Sequence, residues 1–201
     1  MYKNILIILL FFSSFIFADS DPVTMMEKLS NNLTQQLDAN KSKVSDPAVV
    51  GNIIKQTLIP KVDKEYMSQL VVGPRYWKDA SQDEKVEFIK QFETMVTNTY
   101  ARIFSAYSNQ EVKIFPYRGD ASKLQKIEIK SFVIASSKSR FKVIYKLIKD
   151  DNDSWLIYDF SIDGISMIGS YKSQFAPVLA SDGLKGLIDN MREHNKKSSD
   201  E

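Results

Sequence analysis

The spacing of apolar residues changes once along this sequence, near residue 110. Before that point they recur at three- and four-residue steps, as in Met25, Leu29 and Leu33. After it they alternate with other residues, as in Phe141 and Val143. Helices repeat about every 3.6 residues and strands about every 2, so the pattern predicts helices followed by strands. That order is typical of an α+β domain, whereas α/β folds alternate the two elements.

Four helices have recognisable ends in the sequence. The first spans about 21–38 and the second 46–58, and each begins at an Asp-Pro pair. Proline suits the first turn of a helix because no hydrogen bond needs its missing N–H there. The third helix begins at a capping box that starts with Ser81, and it spans about 81–107. A short final helix follows Gly183.

Four alternating segments after residue 110 predict strands. The polar run at 150–153 connects the third strand to the fourth as a hairpin. Short connections favour antiparallel neighbours, so we expect helices packed on a twisted four-stranded antiparallel sheet. The four segments are 111–115, 125–134, 141–148 and 154–162.

The first residues have the pattern of an export signal. Lys3 precedes an apolar run of thirteen residues at 5–17, and Ala18 offers a small residue for cleavage. The sequence has no cysteine, so a lipid anchor at the cleavage point is excluded. We therefore expect a signal peptide at 1–18, one domain at 19–194 and a polar tail at 195–201.

Charge and composition exclude several classes of function. Without Lys3 the chain has 26 basic and 25 acidic residues, spread along its length, so no basic stripe predicts nucleic-acid binding. His194 is the single histidine and lies near the polar C-terminus. With no cysteine either, the sequence offers no cluster of zinc ligands and no nucleophile–imidazole pair. An enzyme would have to use carboxylates, lysine or tyrosine.

Aromatic residues form a stripe on the third helix, and more lie on the third strand. Helical aromatic stripes usually pack a core. A curved sheet covered by such a helix could instead leave a hollow for an apolar guest, and the hydroxyls of Tyr100, Tyr107 and Tyr145 suit the mouth of a pocket. Periodicity alone does not distinguish a filled core from a hollow one, although the filled core is the more usual outcome.

Asp159 interrupts the apolar alternation of the fourth strand in the stretch WLIYDFSIDG. In a catalytic role, Asp159 could be a general base among apolar neighbours, with Asp163 as its partner. As scaffold, it would accept hydrogen bonds that join the strand to the following segment, because a buried carboxylate needs partners. No second catalytic group is visible in the sequence, which favours the scaffold interpretation.

Two regions carry residues in an order and spacing shared with a known family. The matching positions are Pro60, Asp63, Met67, Gly73, Trp77, Ala80, Ser81, Phe88, Phe92, Thr99, Tyr100 and Tyr107, then Trp155, Tyr158, Asp159, Asp163, Gly164, Ile165, Ser166, Met167, Tyr171, Lys172, Gln174 and Phe175. Together they resemble the MlaC family of periplasmic phospholipid-binding proteins, also called toluene-tolerance auxiliary proteins. The sequence departs from the family pattern at Asp163, where Glu is common, and at Lys172, where Arg is usual.

The resemblance implies a monomeric periplasmic carrier of glycerophospholipid, without catalysis, metal or cofactor and without stable membrane insertion. Its partners would be an outer-membrane lipoprotein/porin complex and an inner-membrane ABC transporter with an MCE-domain ring, and its role would be outer-membrane lipid asymmetry. The implied fold is similar to the NTF2-like cone, with acyl chains between sheet and helices. We expect Trp77 near the cavity rim and a lining of Phe92, Val96, Tyr100, Phe104, Phe141, Val143 and Tyr145.

Two other functions remain compatible with the sequence. One is an NTF2-like enzyme that acts on a small hydrophobic substrate with Asp159 as its base. The other is a periplasmic chaperone or adaptor whose aromatic stripe is ordinary core. The presence of a cavity between the long helix and the sheet separates this last function from the other two.

Overall fold

The computed structural model describes residues 21–105, 110–134 and 139–199. It confirms the predicted α+β class, with helices in the first half and an antiparallel sheet in the second. The helices before the sheet are α1 (Pro22–Ala39), α2 (Pro47–Thr57), α3 (Lys64–Val72), α4 (Pro74–Asp79) and α5 (Gln82–Phe104).

Side-chain caps set the beginnings of the predicted helices. The Asp21 carboxylate accepts a hydrogen bond from the Thr24 N–H at 2.8 Å, at the start of α1. At the start of α5, Ser81 Oγ accepts from the Glu84 N–H at 3.2 Å, and Glu84 Oε2 accepts from the Ser81 N–H at 2.9 Å. This reciprocal pair is the predicted capping box. The expected end of the helix at Tyr107 lies outside the described residues.

The short helices α3 and α4 were not predicted, and their ends depend on tertiary contacts and on one glycine. Asp63 caps α3 by accepting from the Tyr66 N–H at 2.9 Å, while its own N–H donates to the Ile157 carbonyl in the sheet. Gly73 ends α3 with φ +86°, a conformation that side chains disfavour, and Pro74 begins α4. Helices of nine and six residues are too short to show a clear apolar stripe.

The sheet is a meander of antiparallel strands in the order β1-β2-β3-β4-β5. Four of them match the predicted segments. The fifth strand is a correction to the expected four, and its two residues are too few to show alternation. The strands are β1 (Glu111–Ile114), β2 (Lys126–Ile134), β3 (Arg140–Lys149), β4 (Trp155–Ile162) and β5 (Ile165–Ser166).

A bulge in β4 explains why Asp159 interrupts the alternation. Lys146 of β3 pairs with Asp159, but its neighbour Leu147 pairs with Ile157, so Tyr158 is an extra residue on β4. One extra residue reverses which side chains face each side of the sheet. As a result Ile157 and Phe160 both face the helices, although they are three positions apart.

The last helix, α6 (Met167–Ser199), is longer than predicted and bends at Gly183, where φ is +67°. The predicted final helix is its second half. The first half was missed, and the tail expected from residue 195 is helical as far as Ser199. The buried Asn195 amide donates to the Gln91 carbonyl of α5 at 2.9 Å, which ties this end to the domain. No helix in the described ranges has the length and apolar character needed to span a bilayer.

One half of the inner sheet face is solidly packed. Leu147 and Trp155 are fully buried there, in a cluster with Met25, Met26 and Leu29 of α1. Towards the other end of β3, the residues of the same face meet no such filling, and the helices stand away from the sheet.

Candidate functional site

A cavity of about 480 Å³ lies between the helices and the open half of the inner sheet face. This volume is within the range of about 300–1,000 Å³ that is usual for ligand pockets. One wall consists of apolar side chains from α1, α2 and α5, and the opposite wall consists of side chains from β1 to β4. The strand wall contains Val112, Val133, Phe141, Val143, Tyr145, Ile157, Phe160 and Ile162.

Most of the residues expected in such a lining are brought together here. The helix wall contains four of them on α5, and the strand wall contains three of them on β3. They are Phe92, Val96, Tyr100 and Phe104 on α5, and Phe141, Val143 and Tyr145 on β3. Their alternate positions on β3 place all three on one face of the strand.

The cavity wall has no net charge. Among the described residues that line it, the charged ones are Lys64 and Glu93, and these form an ion pair at 2.9 Å. Both side chains also reach solvent, so neither ion is fully desolvated. A ligand in this cavity therefore meets hydrocarbon, neutral polar groups and one ion pair without net charge.

Two tyrosines of the lining are half-buried. Burial raises the pKa of the Tyr100 hydroxyl, and the nearby Tyr171 and Asp159 raise it further. Burial also raises the pKa of Tyr145, partly offset by its hydrogen bond with Ser131. Both phenols are therefore neutral at physiological pH and act as hydrogen-bonding groups without charge.

Exposed apolar side chains mark an opening of the cavity. Ile103, Phe141 and Ile162 line the cavity and are nevertheless 57%, 41% and 39% exposed. They lie where α5 ends, where β3 begins and where β4 ends. A ligand could enter at this edge without passing through the solid core.

The residues that build this fold match a known protein family. The sequence model of the family described as MlaC protein matches residues 27–193. The chain belongs to the MlaC family. Among curated relatives, the intermembrane phospholipid transport system binding protein MlaC of Haemophilus influenzae is 28% identical over 181 residues, covering 88% of this chain and 83% of that protein.

Other members and solved structures agree with this assignment to the MlaC family. The toluene tolerance protein ttg2D of Pseudomonas putida is 22% identical over 182 residues, covering 90% of this chain and 83% of that protein. A phospholipid-binding protein from Ralstonia solanacearum, solved in complex with a phospholipid, has the same fold with a TM-score of 0.80 at 22% identity. The likeness covers 89% of this chain and 99% of that one.

Trp77 lies elsewhere than expected. It is buried among the helices and does not line the cavity. Its ring meets Phe88 edge to face at 6.4 Å, and the Lys85 ammonium lies 5.7 Å from the ring centre. The expected place near the rim is therefore corrected, because the indole fills the core between α4, α5 and α6. In this MlaC-family chain Trp77 is a packing residue.

The first helix contributes cavity residues that the sequence analysis treated only as buried. Met26, Leu29, Leu33 and Leu37 of α1 all line the cavity. Their three- and four-residue steps predicted one buried face, but the same steps describe a helix packed on a core and a helix beside a hollow. The sequence therefore predicted that this face of α1 is buried, but not whether it borders the core or the cavity.

Asp159 is occupied by structural hydrogen bonds. It is 2% exposed, and it does not line the cavity. Its Oδ2 accepts from the Ser166 hydroxyl at 2.8 Å and pairs with the Lys146 ammonium at 3.1 Å. Its Oδ1 accepts from the Ile168 N–H at 3.1 Å, in the first turn of α6. The carboxylate therefore cannot reach a ligand in the cavity as a base.

Proposed function

We propose that this protein is a soluble periplasmic carrier of glycerophospholipid, which holds acyl chains in the cavity between α1, α5 and the sheet. It would move lipid between an outer-membrane lipoprotein/porin complex and an inner-membrane ABC transporter with an MCE-domain ring, and so maintain outer-membrane lipid asymmetry. The observation that carries the proposal is a largely apolar cavity of about 480 Å³, whose described wall has no net charge, in a chain of the MlaC family. The export signal expected at 1–18 is consistent with the location.

The physical chemistry of the cavity supports a hydrocarbon ligand. At about 24 cal/mol per Å³, leaving 480 Å³ empty would cost on the order of 10 kcal/mol. That is comparable to the whole stability of a domain. An apolar hollow of this size is therefore best explained by a guest that fills it. An adaptor with an ordinary solid core would have no such hollow.

The same arithmetic constrains how lipid leaves. A phospholipid has roughly thirty methylenes, and hiding them at about 0.8 kcal/mol each is worth on the order of 20 kcal/mol. A barrier of that size slows release into water to about a minute or longer. Transfer would therefore occur within complexes with the two membrane partners, and differences in affinity among the sites would set its direction.

Lipid bound to protein purified without detergent tests the proposal. Native mass spectrometry should detect phospholipid on the wild type. Val143→Asp and Tyr100→Asp place a carboxylate on opposite walls of the cavity, and both should lose lipid because an unpaired charge there is costly. Val86→Asp is the matched control, since Val86 is an exposed residue of α5 outside the lining.

Circular dichroism establishes that each variant is folded. Wild-type protein that never carries lipid and accepts none on refolding would contradict the proposal. Normal lipid content in both folded cavity variants would place the binding site outside this cavity.

A further inference from the structure

A second pocket of about 560 Å³ adjoins the mouth of the apolar cavity. The two share part of their walls, so they lie side by side at this mouth. Tyr100 and Phe160 lie on the shared boundary, with their rings edge to face at 5.1 Å. Phe141, Ile162 and Met167 complete that boundary.

The second pocket has a mixed wall. Apolar Met95 and Ile165 lie in it with Tyr171, and its polar side chains are Thr99, Asp163, Ser170, Gln174 and His194. These polar side chains supply hydrogen-bond donors and acceptors beside a cavity whose wall is almost wholly apolar. An apolar space next to one with polar groups matches an amphipathic molecule, with its chains in the first and its polar end in the second.

Charge in the second pocket has one sign. Of the described residues that line it, Asp163 alone carries a formal charge when His194 is neutral. Lys142 and Lys172 are exposed and do not belong to the wall. A polar group placed against this wall therefore meets a carboxylate, and no lysine or arginine is among the described residues of the wall.

Asp163 is held rigidly in position. Its Oδ1 accepts from the Lys142 N–H at 2.9 Å, and its own N–H donates to the Lys142 carbonyl at 2.8 Å. Asp163 and Gly164 have φ of +48° and +90°, as in the two-residue hairpin turn that connects β4 to β5. A carboxylate accepts at both oxygens, so one recorded bond leaves it further capacity for a ligand.

We propose that the second pocket is a headgroup site and that Asp163 makes it favour a phospholipid with an ammonium headgroup over one with an anionic headgroup. The inference rests on the proposed function, because it assumes that the chains occupy the apolar cavity. The ammonium of a phosphatidylethanolamine-type lipid donates to Asp163, while Gln174 and His194 donate to its phosphate. An anionic headgroup without an ammonium offers Asp163 at most a neutral hydroxyl, which binds a carboxylate more weakly than an ammonium does.

Competition between two lipids with identical chains tests this preference. The purified protein is delipidated by unfolding and is refolded in micelles that contain equal phosphatidylethanolamine and phosphatidylglycerol. Lipid extracted from the re-isolated protein is then quantified by mass spectrometry. Asp163→Asn removes the charge, and asparagine also tolerates positive φ and can accept from the Lys142 N–H. Asp151→Asn removes the same charge from an exposed turn far from the pocket.

We expect the wild type to be enriched in phosphatidylethanolamine and Asp163→Asn to lose about two- to fivefold of that enrichment, the range of an exposed ion pair. Asp151→Asn should match the wild type. Three outcomes would overturn the inference: a wild-type lipid ratio equal to that of the micelles, an unchanged ratio in Asp163→Asn, or equal changes of the ratio in both variants. In each case, lipid bound in normal total amount would still support the carrier function. Failure to bind either lipid would overturn the carrier function and the inference with it.

Discussion

Replacing Asp159 with asparagine should destabilise the protein without changing the lipid it carries. The carboxylate joins β4, β3 and the start of α6 through the Ser166 hydroxyl, the Lys146 ammonium and the Ile168 N–H. Ser166 Oγ in turn accepts from the Gly169 N–H at 3.0 Å, so the cap of α6 depends on Asp159 as well. None of these contacts belongs to the apolar cavity.

The expected magnitude follows from the lost bonds. An asparagine oxygen can still accept from the Ile168 N–H, but its amide nitrogen then faces the Lys146 ammonium, which can only donate, and the Ser166 hydroxyl loses a charged acceptor. Hydrogen bonds to charged groups contribute about 1.5–3 kcal/mol. The Lys146 side chain is 34% exposed, so water solvates the ammonium that is left without its partner and keeps the loss below that of a fully buried pair. We expect a loss of about 2–3 kcal/mol, or about 4–12 °C in Tm for a chain of this size.

Urea unfolding followed by circular dichroism measures the free energy of unfolding. Bound lipid stabilises the folded state by mass action, so all variants are compared after delipidation. Asp151→Asn, in the exposed turn between β3 and β4, should change the free energy by less than about 0.5 kcal/mol. An equally small effect of Asp159→Asn, or altered lipid selection with unchanged stability, would refute the structural role.

Two further predictions concern pH and helix geometry. Hydrogen bonding to Asp159 raises the pKa of Lys146, and burial raises the pKa of Tyr100. Because both folded-state values lie above the unfolded ones, both contributions are complete below about pH 10 and are lost above it. At pH values above about 10, the urea concentration at the unfolding midpoint should therefore decrease, and it should decrease less in Tyr100→Phe. A midpoint that stays constant above about pH 10 would contradict both contributions. Gly183→Ala, at φ +67°, should cost about 1–2 kcal/mol of unfolding free energy. Gly169→Ala is the control, because an added Cβ meets only ordinary contacts there, and it should be neutral or stabilising by up to about 1 kcal/mol. Equal changes in unfolding free energy for Gly183→Ala and Gly169→Ala would contradict the need for glycine at the bend of α6.

The sequence predicted those elements whose determinants are local. The capping box at Ser81 and the Asp-Pro pairs before α1 and α2 supply their own hydrogen bonds and backbone angles, so a single chain segment contains the information. The first half of α6 was missed for the opposite reason. Its N-terminal turn is capped partly by Asp159 from a neighbouring strand, and Pro177 lies within it.

The cavity was the least predictable feature, and β3 shows why. Leu147 and Tyr145 lie on the same face of that strand, and the alternating pattern treats them alike. Leu147 is packed against the core beneath α1, whereas Tyr145 borders the hollow. The difference depends on how far α1 and α5 stand from the sheet, which is a property of the assembled helices and not of the strand.

The bulge at Tyr158 determines which side chains of β4 face the cavity. Strict alternation beyond Ile157 would have placed Asp159 and Ser161 on the inner face, and Phe160 and Ile162 on the outer one. An unpaired carboxylate in the hollow would then have opposed any hydrocarbon guest. The extra residue reverses both outcomes, since Phe160 and Ile162 line the cavity and Asp159 meets Lys146 on the opposite face. The acid that first suggested catalysis is therefore kept out of the cavity by the same irregularity that lets it cap α6.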